Sequence, residues 1–243
     1  KQCSDMMLLS RNAVVASRRV KSVIHPVYRA CNHSHHLTPH SRSVSIAITR
    51  KLDLILVRHA ESNNNILNDL ISGDNVEEQL SQMREADCGL SPRGDDQLQL
   101  LNKHIASGGW DDILKTPTTF YCSPMLRCLE TANALRSGIK SEQSDSGSAS
   151  GSKHNGVIMN VKHDLYEVGG CYVMENGTNV GRSGMARAEV EARYPHFKCL
   201  PGMEKGWYSR PEKETKEEFR LRIKGIAAWV WSIMEESSEV DTG

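Results

Sequence analysis

A short apolar run that ends abruptly in charge is the feature of this sequence that most limits the fold. Residues 54–57 are Leu-Ile-Leu-Val, and they lie between Asp53 and the pair Arg58-His59. Four apolar residues in a row are typical of a strand that is buried on both faces, as in a parallel sheet. Open α/β folds place ligand sites at the carboxyl edge of the strands, so we expect Arg58 and His59 to lie at the mouth of a pocket.

An arginine next to a histidine suits phosphoryl chemistry. The guanidinium of Arg58 carries a permanent charge, and its forked donors match two phosphate oxygens. A neutral imidazole nitrogen of His59 can attack phosphorus and form a covalent intermediate. An isolated Arg-His pair is also found where a strand simply ends, so the interpretation depends on further motifs.

Further motifs follow in order along the chain. The first continues as Ala60-Glu61-Ser62, with Asn65 six residues after His59. The others are Leu90-Ser-Pro-Arg-Gly94 with Gln97, Ser123-Pro124 with Arg127 and Thr131, and Leu165-Tyr-Glu167. Together these blocks resemble the signature of the phosphoglycerate mutase-like histidine phosphatase superfamily. The resemblance covers about residues 52–237.

The resemblance implies an α/β fold, namely a three-layer α/β/α sandwich with a mostly parallel sheet. It implies that His59 is the nucleophile and that Glu167 donates a proton to the leaving oxygen. It also implies that Arg58, Asn65 and Arg127 bind the phosphate. No cofactor and no metal is implied, because fixed guanidinium groups supply the charge that a cation provides elsewhere.

The local sequence supports these places for Arg127 and Glu167. Residues 118–122 are β-branched and aromatic and predict a second strand, after which Ser123-Pro124 predicts a helix start. Arg127 then lies in the first helical turn, where free backbone N–H groups also attract an anion. Glu167 follows a third predicted strand, 157–161, and the charge of a nearby phosphate would favour its protonated form.

Helical periodicity predicts the layers around the sheet. Ser91-Pro92 starts an amphipathic helix in which Gly94 and Gln97 are expected to be structural rather than catalytic. Residues 71–88 read as a polar loop. The last helix repeats Phe219, Ile223, Ile226, Val230 and Ile233 on one face, which is expected to cover the sheet. The predicted helices are 62–70, 94–107, 125–136, 186–193 and 214–234.

The chain divides into an N-terminal segment, residues 1–51, and a domain, residues 52–243. Nine Lys or Arg residues and one acidic residue precede Asp53, so this part of the chain has a net charge of +8. The remainder has a net charge of −8, and the two balance. Abundant Arg, Ser and His without a long apolar run predict a disordered targeting segment for a mitochondrion or plastid; without it the protein would be cytoplasmic. Metal binding by His33, His35, His36 and His40 is the weaker interpretation of a polar tract.

Two stretches interrupt the domain. Residues 141–156 are of low complexity and predict a disordered loop. Residues 171–208 are a glycine-punctuated insertion, and insertions at this place in the family form a lid that selects the substrate. The candidates for substrate contact are Arg182, Arg187, Trp207 and Tyr208, each of which is also explained by packing.

The end of the sequence departs from the resemblance. Family members follow the last helix with a strand that ends in Ser-His-Gly or a close relative, and its histidine is a second catalytic imidazole. No such segment occurs before Gly243. That strand normally lies beside the first one, so residues 52–57 are expected to lose hydrogen-bond partners. We therefore expect either a fragment of a longer product or an impaired member.

The predicted function is hydrolysis of a small phosphorylated metabolite through a phosphohistidine. Mutase-type phosphoryl transfer is one alternative, although those enzymes carry an Arg-His-Tyr-Gly type segment where this chain has Val168-Gly-Gly-Cys171. Binding of phosphorylated ligands without turnover is another. The predicted partner is a small phosphate ester rather than nucleic acid or a membrane, since no apolar run reaches the ~20 residues that cross a bilayer.

The cysteines indicate a reducing compartment. There are seven, an odd number, and they include no Cys-x-x-Cys pair, which argues against a disulfide framework. Cys122, Cys128 and Cys171 are expected to be small buried apolar residues rather than reactive thiols.

Overall fold

The computed structural model describes residues 53–115, 118–139 and 157–236 and three short strands near the N-terminus. These strands are β1 (Ala13–Ser17), β2 (Val23–Pro26) and β3 (Ile46–Thr49). The predicted low-complexity loop 141–156 and most of the predicted targeting segment lie outside the described residues. No strands were predicted in that segment, because short apolar runs among basic residues are weak strand signals.

The main sheet has five strands in the order β4-β1-β5-β6-β9. Its remaining members are β4 (Asp53–Val57), β5 (Thr118–Cys122), β6 (Met159–Val161) and β9 (Phe197–Cys199). The pairs β5–β6 and β6–β9 are parallel, whereas β1 is antiparallel to both β4 and β5. Strand β4 therefore runs in the same direction as β5, and the predicted α/β class with a mostly parallel sheet is confirmed.

Strand β4 differs from its prediction in two respects. It is paired along its whole length with β1, from Ala13 opposite Val57 to Ser17 opposite Asp53, so one of its two edges has a strand partner that was not expected. The prediction of burial on both faces is wrong, since Leu54 is 43% and Leu56 is 37% exposed. The cause is position: β4 ends the strand order, and an apolar run alone does not distinguish an edge from a centre.

Seven helices are described. They are α1 (Asn63–Leu70), α2 (Val76–Met83), α3 (Pro92–Ala106), α4 (Asp111–Leu114), α5 (Leu126–Gly138), α6 (Arg187–Arg193) and α7 (Lys216–Glu236). Five of them confirm predicted helices to within two residues at every end. The prediction of a polar loop over 71–88 is wrong, because α2 lies inside it. Helix α2 starts after Asn75, which is in the left-handed conformation with φ 64° and whose side chain makes no capping hydrogen bond.

The helices cover both faces of the sheet, which makes the three layers. Phe120 and Cys122 of β5 point into the main core with Leu129 of α5. Tyr121 points the other way and meets Trp229 of α7, with ring centroids 4.7 Å apart and perpendicular. The predicted apolar face of α7 is its half-buried face, as expected, while Leu221 and Trp231 are exposed.

The segment 171–208, predicted to be a lid insertion, contributes a strand to the main sheet. It begins with a hairpin of β7 (Tyr172–Glu175) and β8 (Thr178–Gly181), whose turn has positive φ at both Asn176 and Gly177. It also contains α6 and β9, and β9 is a strand of the main sheet. The five described cysteines, Cys88, Cys122, Cys128, Cys171 and Cys199, are free and buried, as predicted for three of them. None of the described helices is long and apolar enough to span a membrane.

Candidate active site

The loop after β4 is tied to the start of α5. The backbone N–H of Ala60 donates to Oγ1 of Thr131 over 3.1 Å, and the same hydroxyl donates to the carbonyl of Arg127 over 2.8 Å. Both bonds are shielded from water, where an unpaired N–H would be costly. Thr131 thus connects the residue after His59 with the helical turn that carries Arg127.

Hydrogen bonds from the start of helix α3 also hold the loop after β4 in place. The N–H of Ser91 donates to the carbonyl of Glu61 over 3.0 Å, and the N–H of Glu61 donates to Oε1 of Gln97 over 2.8 Å. A Cβ atom on Gly94 would lie 2.1 Å from the carbonyl oxygen of Glu61. Gly94 and Gln97 are therefore structural, as predicted, and they set where the His59 loop lies.

The imidazole of His59 has a defined tautomer. Its Nδ1 lies 2.6 Å from the carbonyl oxygen of Ala60, which can only accept. Its Nε2 lies 3.1 Å from Nε of Arg127, which can only donate. Both contacts are satisfied when Nδ1 carries the proton and Nε2 holds a lone pair. Burial, and next the charge of Arg127, lower the pKa of His59 to about 4, so the ring is neutral at physiological pH.

Arg127 lies between His59 and Glu167. Its second terminal nitrogen lies 2.6 Å from Oε2 of Glu167, and its side chain is 3% exposed whereas that of Glu167 is 36% exposed. The guanidinium also contacts sulfur, at 3.2 Å from Sδ of Met125 and 3.8 Å from Sγ of Cys88. Weak sulfur acceptors leave much of its hydrogen-bonding capacity for an anion. The structure therefore brings together three residues that lie 40 and 68 positions apart in the sequence.

The other two predicted phosphate ligands lie on either side of His59 in the sequence, one in the loop and one in helix α1. Arg58 precedes His59 and is exposed, and its charge contributes to lowering the pKa of His59. Asn65 is in the first turn of α1, and its Oδ1 accepts from the N–H and the hydroxyl of Ser62, each over 3.0 Å. These bonds orient the amide with its NH₂ group as the remaining donor.

The substrate candidates of the 171–208 segment have protein partners. Arg182 forms an ion pair with Glu175 across the β7–β8 hairpin. Arg187 donates to the carbonyl of Leu200 over 3.2 Å, and the hydroxyl of Tyr208 donates to the carbonyl of Glu212 over 2.7 Å. Trp207 is 2% exposed, and its Nε1 donates to Oδ2 of Asp87 over 3.1 Å. Trp207 and Tyr208 thus lie in the protein interior.

Asp87 is a site residue that the sequence analysis missed. Its Oδ1 accepts from the N–H of Leu126, the first residue of α5, over 2.8 Å, and its Oδ2 accepts from Trp207. Burial raises the pKa of this carboxyl. It takes the capping role that the sequence assigned to Ser123, whose hydroxyl instead accepts from the N–H of Met125. Its partners are 39 and 120 residues away, so no local pattern indicates the role.

Comparison with known proteins bears on the part of the chain that carries most of this site. A family model described as the histidine phosphatase superfamily (branch 1) matches residues 54–145. That segment includes β4, the His59 loop, α3 and α5. Comparisons with curated proteins and with solved structures gave no significant match. Within the described ranges, no group of three or more His, Cys, Asp or Glu side chains could hold a metal ion.

Proposed function

Through residues 54–145 the chain belongs to the histidine phosphatase superfamily, and we propose that it is a phosphomonoesterase acting through a phosphohistidine. The observation that supports this most is the imidazole of His59, which is neutral and has its Nε2 lone pair directed at Arg127. A nucleophile and a cation in contact form a site where a phosphoryl group can be both attacked and stabilised.

In the proposed first step, Nε2 of His59 attacks phosphorus while the bond from phosphorus to the alcohol oxygen breaks. Arg127, with Arg58 and the amide of Asn65, stabilises the charge on the phosphoryl oxygens. The leaving oxygen takes a proton from the carboxyl group of Glu167. Glu167 is ion-paired in the free site, but a bound phosphate would compete for Arg127 and favour the protonated acid.

In the second step, water hydrolyses the phosphohistidine. The carboxylate of Glu167 takes a proton from the water, whose oxygen attacks phosphorus as the bond to Nε2 breaks. The products are inorganic phosphate, a neutral imidazole and a protonated Glu167 ready for the next cycle. We propose a small phosphorylated metabolite as substrate, because the nucleophile lies in a loop whose only strongly exposed member is Arg58.

Phosphate release from p-nitrophenyl phosphate tests this proposal. We expect His59→Ala to reduce the rate by roughly a thousandfold or more, the scale of losing a nucleophile. His196→Ala, at an exposed histidine outside the site, is the matched control and should leave the rate unchanged. An acid-labile phosphoramidate signal on the protein in ³¹P NMR should be absent from His59→Ala.

The outcome also separates the alternatives. Transfer of the phosphoryl group to an added alcohol in preference to water would indicate a mutase-type reaction. Binding of phosphate esters without release of phosphate, in the His59→Ala variant and the unaltered protein alike, would indicate a binding protein and would refute the phosphatase.

A further inference from the structure

Glu167 lies in a turn that has little rigidity of its own. The turn is Glu-Val-Gly-Gly, residues 167–170, and the N–H of Gly170 donates to the carbonyl of Glu167 over 3.1 Å. Both glycines have positive φ, 93° at Gly169 and 74° at Gly170. Glycine is the residue with the greatest backbone freedom, and Val168 is 45% exposed, so little within the turn opposes its rearrangement. The position of Glu167 therefore depends on contacts at the two ends of the turn.

One buried ion pair holds both ends. Before the turn, Nη1 of Arg222 donates over 3.0 Å to the carbonyl of Tyr166, the residue that precedes Glu167. After it, the N–H of Gly169 donates to the carboxylate of Glu214 over 3.4 Å. The arginine and the carboxylate meet at two oxygens, each over 2.7 Å, and their side chains are 6% and 0% exposed. The pair thus bridges the residues on either side of Glu167.

The ends of the turn have further contacts with the same pair. Cζ of Arg222 lies 3.7 Å from the centroid of the Tyr166 ring, and the hydroxyl of this tyrosine donates to Glu214 over 3.3 Å. At the other end, the N–H of Glu214 donates to the carbonyl of Gly169 over 3.0 Å. Arg222 belongs to α7, a helix of 21 residues, so the turn takes its position from a long regular element.

These contacts matter most when a substrate is bound. In the free site, Oε2 of Glu167 lies 2.6 Å from a terminal nitrogen of Arg127, and within the described ranges this is the one hydrogen-bond partner of the carboxylate. A bound phosphate competes for Arg127, so the carboxyl group loses this partner when it must reach the leaving oxygen. Its place is then set by the backbone of the turn, and misplacement of a catalytic group by about 1 Å can cost about a hundredfold in rate.

We propose that Arg222 and Glu214 are positioning residues for the proton donor: their ion pair holds the turn 167–170 where the carboxyl group of Glu167 reaches the leaving oxygen. They act through the backbone of Tyr166 and Gly169. The inference rests on the proposed function, in which Glu167 protonates that oxygen.

Two aryl phosphates that differ in the acidity of their leaving group test this role. p-Nitrophenol is a far stronger acid than phenol, so p-nitrophenolate leaves with little help from a proton donor, whereas phenolate needs one. The quantity measured is kcat/KM of the whole chain for each ester, because it includes the step in which the leaving group departs. The ratio of the two values does not depend on how much of the protein is folded, since the same molecules hydrolyse both esters.

The variants should change this ratio to different extents. Glu167→Gln should raise the ratio of p-nitrophenyl to phenyl phosphate hydrolysis by about a hundredfold, as for loss of a general acid. Arg222→Lys keeps the charge but cannot bond both carboxylate oxygens and the carbonyl of Tyr166 at once, so it should raise the ratio about tenfold. Tyr166→Phe, which removes only the hydroxyl bonded to Glu214, should raise it about threefold, and it serves if Arg222→Lys does not fold. Arg220→Lys, at an exposed arginine of α7, is the matched control and should leave the ratio unchanged.

A double variant decides whether the ion pair acts through Glu167. With Glu167→Gln already present, Arg222→Lys should not raise the ratio further, because the group that it positions is gone. A purely structural role would lower kcat/KM for both esters equally and leave the ratio unchanged.

The possible failures are distinguishable. An unchanged ratio in Arg222→Lys and Tyr166→Phe, while Glu167→Gln raises it, would overturn the positioning role and leave the proposed function intact. A further rise in the double variant would overturn the positioning role too. Failure of the proposed function looks different: neither ester releases phosphate, or Glu167→Gln leaves the ratio unchanged, and either result also rules out the positioning role.

Discussion

Replacing Arg222 by methionine should destabilise the protein strongly. The side chain of Arg222 is 6% and that of Glu214 is 0% exposed, and two nitrogens of the arginine lie 2.7 Å from the two carboxylate oxygens. The third nitrogen donates to the carbonyls of Asp164 and Tyr166 over 2.9 and 3.0 Å. These bonds attach the segment just before Glu167 to helix α7.

The size of the expected loss in stability depends on the groups that the substitution leaves without a partner. Arg222→Met buries the carboxylate of Glu214 without its counter-charge, and breaking a buried pair in this way costs about 3–5 kcal/mol. The hydroxyl of Tyr166 and the N–H of Gly169 still donate to Glu214, over 3.3 and 3.4 Å, which places the loss toward the lower end. Even about 3 kcal/mol is a large share of the 5–15 kcal/mol typical of a folded protein.

Urea unfolding followed by far-UV circular dichroism measures this loss. The double variant Arg222→Met with Glu214→Met removes both charges, so it should be about 1–2 kcal/mol more stable than the single variant. Arg220→Met on the same helix removes an arginine that is 70% exposed, and should change stability by less than about 0.5 kcal/mol. A single variant within about 1 kcal/mol of the unaltered protein, or a double variant less stable than the single, would refute the reasoning.

Three further predictions concern the His59 loop. The ring protons of His59 should titrate in NMR with a pKa of about 4. Because the histidine of the unfolded chain binds its proton near pH 6.5, the free energy of unfolding should fall by roughly 3 kcal/mol as the pH drops from 6.5 toward 4. This part of the pH dependence should be absent from His59→Gln. Gly94→Ala should lower the free energy of unfolding by about 1–3 kcal/mol in spite of better helix propensity, since its Cβ meets the carbonyl of Glu61; an unchanged free energy of unfolding in urea would contradict this. Thr131→Val should cost about 1–3 kcal/mol by leaving the N–H of Ala60 unpaired, whereas Thr131→Ser, which keeps the hydroxyl, should lose less; equal losses would count against the bond.

The elements that the sequence predicted best are those with a complete local signal. Helix α3 has Ser91 accepting from the N–H of Gly94, with Pro92 at its first position, and its observed bounds follow these residues. Strand β5 is β-branched and aromatic and lies where it was expected. Strand β9 is only three residues long and belongs to the sheet through pairing with β6, so its role depends on contacts that no window of sequence contains.

The residues of the candidate site also divide into those with a local sequence signal and those without one. His59, Arg127 and Glu167 were found through motifs, and the structure brings them into contact. The roles of Asp87 and Thr131 could not be read locally, because each depends on bonds to residues far along the chain. Trp207 was expected as a substrate contact from its place in an insertion, but its indole donates to the half-buried carboxylate of Asp87, which only the folded chain places there.

Strand β1 sets a condition on how the protein matures. It lies between β4 and β5, and it belongs to the segment whose composition predicts a leader for an organelle. A leader that is cut away on import cannot also remain in the middle of a sheet. Proteolytic removal of residues 1–51 would expose the backbone edges of two neighbouring strands, and such edges readily recruit other chains. A processed form would thus need another strand between β4 and β5, whereas a form that retains its first residues would keep β1 in that place.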